Sequence, residues 1–242
     1  MYNILKRVFT TLFPKKTLFR IEPHFRKFYA FFKKGNKHFC TICEFKASSF
    51  ERLPNYDLLC PNCGSLSRDR RLWKLIAERY LQPNIQILDF SPSRSLFRKW
   101  KKTSNVKHIA SDLSGDFIAD VSYDITQIPE KENQFDLILC YHILEHVIED
   151  MKAMSELYRV LKSKGTILIQ TPFKEGEIYE DYTITSETER LLHFGQEDHV
   201  RTYSVEGLKK RLESVGFSVL VNQYKKDEYL GFSNEIILVA TK

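Results

Sequence analysis

Phe135-Asp-Leu-Ile-Leu-Cys-Tyr-His-Ile-Leu-Glu-His-Val147 is the stretch of sequence that decides the fold. Leu137 to Leu139 form a continuous apolar run, which is typical of a strand covered on both faces of a sheet. Polar and acidic residues follow, which predicts that the strand ends and a helix begins soon after Glu145. Ligands of open α/β sheets bind where such strands end, so we expect residues 140–142 to line a pocket.

From residue 85 onward, short apolar runs alternate with helical patterns. The predicted strands are 85–90, 106–111, 135–140, 166–171, 217–224 and 235–241, and the predicted helices are 93–102, 148–161 and 205–215. This alternation predicts a mostly parallel sheet with helices on both faces. The last two strands follow one another without a helix, so they are expected to pair as a hairpin at one edge. A chain of 242 residues, 43% of them hydrophobic, suits one main domain with a small appendage.

Four of the five cysteines form two Cys-x-x-Cys pairs separated by 16 residues: Cys40, Cys43, Cys60 and Cys63. The two pairs supply four thiolates for tetrahedral coordination, so the spacing predicts a zinc ribbon. Its short spacer, with a turn signal at Pro54-Asn55, is too small to fold without a metal. Structural or redox disulfides are the alternative. We interpret the fifth cysteine, Cys140, as a small apolar residue buried in a strand.

The excess of basic residues lies in an N-terminal arm. The net charge is +6, and residues 1–39 contain ten Lys or Arg against the single acid Glu22. Apolar residues recur at helical spacing beside them: Ile4, Leu5, Val8, Phe9, Leu12, Phe13, Phe25, Phe28, Tyr29 and Phe32. The pattern is typical of an amphipathic helix at an anionic membrane surface. Packing of the aromatic residues on the domain or on a second subunit is the alternative.

The apolar runs of the chain are too short to span a bilayer, which needs roughly 20 residues. Lys6-Arg7 interrupts the first run before a signal-peptide core forms. We therefore expect a cytoplasmic protein, with peripheral contact to the inner face of the membrane through residues 1–34.

Several segments resemble motifs of a known enzyme family. Ile87-Leu-Asp-Phe90 resembles the first motif of the class I S-adenosylmethionine-dependent methyltransferases of the small-molecule, type 11-like kind. Phe135-Asp-Leu-Ile with His142-Ile-Leu-Glu-His146 resembles the fourth motif, and Leu161-Lys-Ser-Lys-Gly-Thr-Ile-Leu-Ile169 resembles the strand that follows. Cys60-Pro-Asn-Cys-Gly-Ser-Leu-Ser-Arg68 and Arg190-Leu-Leu-His-Phe-Gly-Gln-Glu-Asp-His-Val-Arg201 resemble a bacterial subgroup with an N-terminal zinc-binding segment.

This resemblance implies a Rossmann-like α/β fold with a mostly parallel seven-stranded sheet and helices on both faces. The methyltransferase domain is expected at residues 71–242, after a basic amphipathic arm at 1–38 and a zinc ribbon at 39–70. Residues 173–201 form an insertion on the acceptor side. The implied activity is methyl transfer from S-adenosylmethionine to a small-molecule, glycan or lipid-linked acceptor, with zinc as a structural metal.

The resemblance also implies which residues hold S-adenosylmethionine. An acid after the first strand acts near the amino-acid part of the cofactor, an acid after the second accepts from the ribose hydroxyls, and an acid in Tyr123-Asp-Ile-Thr126 meets the adenine amino group. The predicted set is Asp89, Ser91, Pro92, Asp112, Leu113, Asp124, Ile125, Tyr141 and His142, with Ile125 against the adenine ring.

The first motif departs from the family pattern, because Asp89-Phe-Ser-Pro-Ser-Arg94 contains no glycine. A backbone without glycine approaches a ligand less closely. Ser91 or Ser93 and the amides of a helix that begins near Pro92 are the expected partners of the cofactor carboxylate. A degenerate site that no longer binds the cofactor is the alternative.

The insertion carries eight acids against three basic residues. Such a surface repels phosphate backbones, and it contains two histidines suited to act as a base for the acceptor, His199 first and His193 second. His142 and His146 have the spacing of a metal pair, but Glu145 matches the family motif and His142 is interpreted as a pocket wall. An RNA methyltransferase, suggested by a zinc ribbon beside a basic arm, and a non-catalytic binding protein are the alternatives.

Overall fold

The computed structural model of the chain describes residues 15–242, which form two compact units from interleaved parts of the sequence. The first unit combines the chain up to Arg79 with Ser93–Lys102 and Lys225–Asn234. The second unit consists of Tyr80–Pro92, Thr103–Tyr224 and Glu235–Lys242. The apolar pattern at residues 4–13 lies outside the described residues, and the domain boundaries at residues 38 and 70 remain predictions.

Within the described residues, the first unit contains three helices and four short strands. They are α1 (Lys15–Phe31), β1 (Lys34–Phe39), β2 (Lys46–Ala47), β3 (Glu51–Arg52), β4 (Leu58–Leu59), α2 (Ser67–Arg79) and α3 (Arg94–Trp100). β1 pairs antiparallel with β2, and β3 pairs antiparallel with β4. The turn signal at Pro54-Asn55 lies between β3 and β4, as predicted. Helix α1 continues through Pro23.

The buried Arg70 on α2 organises the first unit. Its guanidinium donates to four backbone carbonyls, those of Leu58, Ser65, Leu230 and Gly231. A buried guanidinium carries five donors and is stable only when such acceptors surround it. Since two of these carbonyls belong to the loop Lys225–Asn234, Arg70 joins that loop to the segment that carries the cysteines.

The second unit contains a central sheet with its covering helices. Its elements are β5 (Gln86–Phe90), β6 (Lys107–Ser111), β7 (Phe135–Tyr141), a 3₁₀ turn (Leu144–His146), α4 (Asp150–Val160), β8 (Leu161–Gln170), β9 (Tyr179–Glu180), α5 (Glu187–Phe194), β10 (Arg201–Thr202), α6 (Val205–Val215), β11 (Ser218–Tyr224) and β12 (Glu235–Thr241). The strand order is β11-β12-β8-β7-β5-β6. Strands β6, β5, β7 and β8 are neighbours in this order and run parallel to one another. Strands β11 and β12 form the predicted antiparallel hairpin at the other edge.

The sheet has six strands in the described chain, whereas seven were predicted. The remaining strand is reduced to one parallel bridge between Val121 and Ser111. The Asp120 carboxylate accepts the backbone N–H of Ala110 at 3.1 Å, in place of a carbonyl from a further paired strand. The Asp120 side chain thus takes a backbone N–H of β6 that would otherwise bond to a neighbouring strand, and the strand pairing stops after one residue.

Both faces of the sheet are buried, as the apolar run in β7 predicted. On one face, β5, β7, β8 and β12 pack against α4 and α6; the cluster includes Leu88, Ile138, Cys140, Met154, Leu157, Ile167, Ile169, Leu208, Leu212 and Leu238. The alternate residues are also buried: Ile87, Leu137, Leu139, Leu168 and Ile237. Burial on both faces explains why these strands are continuously apolar.

Candidate active site

The carboxyl ends of β5 and β7 border the point where the strand order reverses. β5 pairs in parallel with β6 on one side and with β7 on the other, and ligands of open α/β sheets bind in the crevice at such a point. The residue that follows β5, Ser91, has φ 47°, and the residue that follows β7, His142, has φ 54°. A left-handed backbone costs an L-residue about 1–2 kcal/mol, and such conformations concentrate at functional sites.

Ser91 fixes the turn after β5. Its backbone N–H donates to the Ser111 carbonyl at 2.7 Å, and its hydroxyl donates to the Asp112 carboxylate at 2.7 Å. The following Pro92 is buried. A left-handed turn of the kind that glycine favours is therefore present in the first motif, although no glycine occupies it.

Asp112 is buried directly after β6 and keeps acceptor capacity for a ligand. Its carboxylate accepts from the hydroxyls of Ser91 and Ser114 and from the backbone N–H of Phe117 at 3.2 Å. The Ser114 hydroxyl lies 3.2 Å from one carboxylate oxygen and 3.0 Å from the other, so its single hydrogen is shared between them. A carboxylate offers about four lone-pair sites, so a further donor such as a ribose hydroxyl fits when Ser114 bonds to one oxygen alone. The adjacent Leu113 is an exposed apolar side chain, as the uncovered wall of a site would be.

Asp89 is paired with a histidine that sequence analysis missed. Its carboxylate lies 3.1 Å from His108 Nε2 on the neighbouring strand β6, and both side chains are almost fully buried. A histidine inside a strand carries no motif, so the sequence alone gives no signal for this pair.

Asp124 and Ile125 differ in their surroundings. The Asp124 carboxylate accepts from the backbone N–H and the hydroxyl of Thr126 at 2.8 Å each, and these two bonds lower its pKa. Ile125 is buried in the core of the second unit. Their contacts with adenine remain predictions.

Two buried polar atoms at the end of β8 have no hydrogen-bond partner among the described residues. They are Gln170 Oε1 and Thr171 Oγ1. Gln170 pairs in register with Tyr141, and its backbone carbonyl accepts from the His142 N–H at 2.8 Å. Because buried polar groups are normally satisfied, these atoms indicate that a ligand or water completes this edge of the sheet.

Glu145, His146 and His199 come together just after β7. Their ligating atoms all lie within 4.8 Å of one another. Glu145 is 1% exposed and His199 is 3% exposed, and the rings of the two histidines meet edge to face with centroids 4.7 Å apart. The Val200 backbone N–H donates to the Glu145 carbonyl at 2.9 Å, which holds the end of the insertion against this turn.

The electrostatics of this cluster favour a carboxylate beside a neutral imidazole. Burial raises the pKa of Glu145, but the hydrogen bond and charge of His142 and the charge of His146 outweigh it, so the pKa lies below its ordinary value. Burial, with the charge of His146, lowers the pKa of His199. His199 Nε2 is buried and has no hydrogen-bond partner in the described part of the chain.

The other two histidines singled out by the sequence lie differently. His193 is exposed on α5, with its Nδ1 2.7 Å from the Tyr179 hydroxyl, and it does not belong to the cluster described above. His142 and His146 do not share a helical face, because the chain forms a 3₁₀ turn at Leu144–His146 and α4 begins only at Asp150. His142 instead lies beside Glu145, with Nδ1 3.3 Å from Oε1.

The fully buried Arg201 fastens the insertion to the turn after β7. It donates to the carbonyls of Leu144, Val147 and Ile148, and to the Glu180 carboxylate at 2.8 Å. β9 and β10 pair antiparallel, so the insertion closes into a hairpin that encloses α5. The position of His199, two residues before Arg201, follows from these bonds.

The four cysteines of the first unit form a separate cluster. Cys40 Sγ lies 3.6 Å from Cys63 Sγ, and Cys43 Sγ lies 3.8 Å from Cys60 Sγ. All four are free thiols rather than disulfides. Tetrahedral zinc with bonds of about 2.3 Å separates its sulfur ligands by about 3.8 Å, so the cluster has the spacing of a zinc site.

Comparison with solved structures identifies the fold. The chain aligns with an S-adenosylmethionine-dependent methyltransferase from Archaeoglobus fulgidus at a TM-score of 0.53, with 19% identity over 72% of this chain and 93% of that one. It aligns with phosphoethanolamine N-methyltransferase 2 of Haemonchus contortus, solved with S-adenosylmethionine, at a TM-score of 0.52, with 15% identity over 74% of this chain and 53% of that one. The fold is that of the S-adenosylmethionine-dependent methyltransferases.

Within this class, the family follows from the sequence. A profile described as a methyltransferase domain matches residues 65–221, and the chain belongs to that family. The chain is also similar to an uncharacterized protein of Methanocaldococcus jannaschii, with 40% identity over 65 residues. That match spans 25% of this chain and 28% of the relative.

We expect Glu180→Gln to weaken the acid dependence of stability. Burial raises the pKa of Glu180, but its bonds to Arg211 and Arg201 outweigh this and bring the pKa to about 2. A depressed carboxylate pKa stabilises the folded state above the ordinary value of 4.5, and this contribution disappears as pH falls towards about 2. Urea unfolding at pH 7 should show a free energy lower by about 1–3 kcal/mol in the variant.

At pH 3, wild type and Glu180→Gln should differ less than at pH 7, because the wild-type advantage is partly lost. The exposed Glu175 provides the control, since Glu175→Gln should follow the wild type at both pH values. Equal losses for Glu180→Gln at pH 7 and pH 3 would contradict the assignment.

Proposed function

We propose that this chain transfers the methyl group of S-adenosylmethionine to a small-molecule, glycan or lipid-linked acceptor. The observation that carries the proposal is the pair of left-handed, non-glycine turns at Ser91 and His142, on the two strands that border the switch point. The unsatisfied buried atoms of Gln170 and Thr171 at the same sheet edge support it. When bound, S-adenosylmethionine supplies an electrophilic methyl group on a sulfonium.

The residues that would hold the cofactor follow the ends of successive strands. Asp112 accepts a ribose hydroxyl at its remaining lone-pair site, and the exposed Leu113 supplies an apolar wall. The turn at Ser91 and Pro92 would lie beside the amino-acid end of the cofactor, near Asp89. Asp124 and Ile125 serve the adenine, and Tyr141 and His142 form the wall after β7.

His199 is the side chain that we propose faces the acceptor. Its Nε2 is buried without a hydrogen-bond partner in the described chain, so it can take the proton of an acceptor oxygen or nitrogen. The neighbouring Glu145 carboxylate would stabilise the positive ring that results. His193 is the second candidate, although its exposure and its bond to Tyr179 leave it less suited.

The insertion favours a small acceptor over a nucleic acid. Six of its acids are exposed, namely Glu175, Glu177, Glu187, Glu189, Glu197 and Asp198. A negative surface repels a phosphate backbone and leaves sugars and neutral groups unaffected. A steeply salt-dependent affinity for RNA, with methyl label recovered in RNA, would replace this proposal by the RNA methyltransferase alternative.

The four-cysteine cluster would hold zinc in a structural role. Its four thiols occupy every position of a tetrahedral site, which leaves no open position for a substrate. The surrounding strands are two residues long apart from β1, so the metal would supply much of the stability of this segment.

Helix α1 is the part of the arm that the structure describes, and it presents aromatic residues to solvent. Phe28 is 71% exposed and Phe32, just after the helix, is 67% exposed, with Lys27 and Lys33 beside them. In the described chain no helix combines the length and apolarity that a membrane span requires. We propose that this surface binds anionic lipids at the inner face of the membrane, close to a lipid-linked acceptor.

Asp112→Asn should weaken binding of S-adenosylmethionine by about 10- to 100-fold, because a hydrogen bond to a charged group contributes about 1.5–3 kcal/mol. Isothermal titration calorimetry measures the affinity. The matched control is Glu132→Gln, an exposed acid before β7 at the opposite edge of the sheet, which should bind as the wild type does. If titration of the wild-type protein with S-adenosylmethionine shows no binding, the proposed function is refuted.

Cys63→Ser should contain one zinc fewer per chain than the wild type, because a tetrahedral site with one thiolate lost binds the metal far more weakly. Elemental analysis of the purified full-length chain provides the count. Cys140→Ala is the control, since Cys140 is buried in β7 and lies outside the cluster. Equal zinc in Cys63→Ser and wild type would refute the assignment.

The double variant Phe28→Ser, Phe32→Ser should float with anionic vesicles at least about 10-fold less than the wild type, because each buried Phe contributes about 1.5–3 kcal/mol. The vesicles are phosphatidylcholine with phosphatidylglycerol. Leu220→Ser removes a side chain that is 67% exposed on β11, and it should float as the wild type does. Equal flotation of all three proteins would instead favour packing of the aromatics on protein.

A further inference from the structure

We propose that Glu145, His146 and His199 bind a divalent transition-metal ion, at a site separate from the four cysteines. The ion would lie at the acceptor end of the active site. The binding itself does not depend on the proposed methyl transfer, and only the use made of the ion rests on that function.

The geometry of the three side chains suits one ion. Their ligating atoms lie within 4.8 Å of one another, and small rotations bring them to the separations of about 3–4 Å that bonds of about 2.0–2.2 Å require. Glu145 and His199 are more than nine-tenths buried, and His146 is partly exposed. The open side at His146 gives an ion a route of entry.

Unsatisfied atoms of two buried ligands converge on this place. Both Glu145 carboxylate oxygens and His199 Nε2 lack a hydrogen bond of good geometry within the described chain. His142 Nδ1 approaches Glu145 Oε1 to 3.3 Å, and Oε2 has no hydrogen-bond partner in the described chain. An ion would supply the missing partner for Oε2 and for Nε2 together, and burying these groups unpaired is costly.

Each ligand is held by a second interaction, as is usual in metal sites. The His199 backbone N–H donates to the Gln196 carbonyl at 3.4 Å, and its ring Nε2 has no hydrogen-bond partner in the described chain. His146 Nδ1 lies 3.2 Å from the Asp198 carboxylate. The Val200 N–H and the Arg201 guanidinium fix the loop that carries His199 against the turn that carries Glu145.

The donor set indicates the kind of ion. Two imidazoles and one carboxylate suit zinc, iron(II), cobalt(II) or nickel(II), and they leave coordination positions open. The four thiolates of the first unit form a closed set by comparison. An acceptor oxygen could occupy an open position, where the ion would lower its pKa. His199 would then act as a ligand to the ion and not as a base, and the proton released by the metal-bound acceptor would go to solvent.

The test uses full-length protein carrying one zinc per chain and cobalt(II) as the probe. Calorimetry and visible absorption should show one further equivalent of cobalt without thiolate charge-transfer bands. His146→Ala and His199→Ala should each reduce the cobalt affinity by more than about 10-fold. His193→Ala, a histidine on the neighbouring helix outside the cluster, should bind cobalt as the wild type does.

Two further measurements separate loss of metal binding from loss of folding and from loss of cofactor binding. Cobalt should raise the melting temperature of the wild type and leave that of His146→Ala unchanged, which also shows that the variant is folded. If no histidine variant folds, the wild-type stoichiometry decides: uptake of no cobalt beyond the zinc-filled site overturns the proposal. S-adenosylmethionine binding is measured on the same sample, so failure of the proposed function and failure of the metal site are distinguished.

Discussion

The buried guanidinium of Arg201 is the constraint on which the acceptor end of the sheet depends. It lies at the far end of the insertion, yet its hydrogen bonds reach three carbonyls after β7 and the carboxylate of Glu180. A buried charge that loses its partners costs several kcal/mol, so these bonds stabilise the insertion against the turn after β7. His199 precedes Arg201 by two residues, and Glu145 lies in the turn that Arg201 binds. The Arg201 side chain therefore holds His199 close to Glu145.

The first motif shows how a site keeps its geometry after its usual residue is gone. Glycine normally allows the turn after the first strand because it adopts a left-handed backbone at little cost. Ser91 adopts that backbone here, and its bonds to Ser111 and Asp112 hold it there. The serine adds a hydroxyl that glycine lacks, and this hydroxyl orients the carboxylate proposed to bind the ribose. The first motif therefore has a serine hydroxyl where a glycine is usual, and it keeps the left-handed backbone of the turn.

The elements of the sheet could be predicted because each depends on local pattern. The apolar runs set the strands, and the bounds of α6 and β12 match the prediction at both ends. The seventh strand could not be judged in this way, because a carboxylate from Asp120 competes for the ladder through a contact that periodicity does not encode. Family resemblance named Asp112 and His142, but the partners of these residues came only from the structure.

The rest of the site depends on contacts between residues far apart in the chain. His108 pairs with Asp89 across two strands, and Glu145 meets His199 more than fifty residues later. Neither contact corresponds to a residue spacing that could be recognised in the sequence. The sequence favours His199 over His193 without naming a contact of either ring. Among the described residues, His199 is buried and its Nε2 has no hydrogen-bond partner, whereas His193 is exposed.

The loop Lys225–Asn234 has a consequence for how this protein could arise or be divided. Its flanking strands belong to the second unit, whereas Arg70 and Arg71 bind its carbonyls within the first unit. The chain passes between the two units five times, at the ends of the three segments that form the first unit. Each unit consists of three separate stretches of the chain, so a cut at any single position in the sequence divides at least one of the two units.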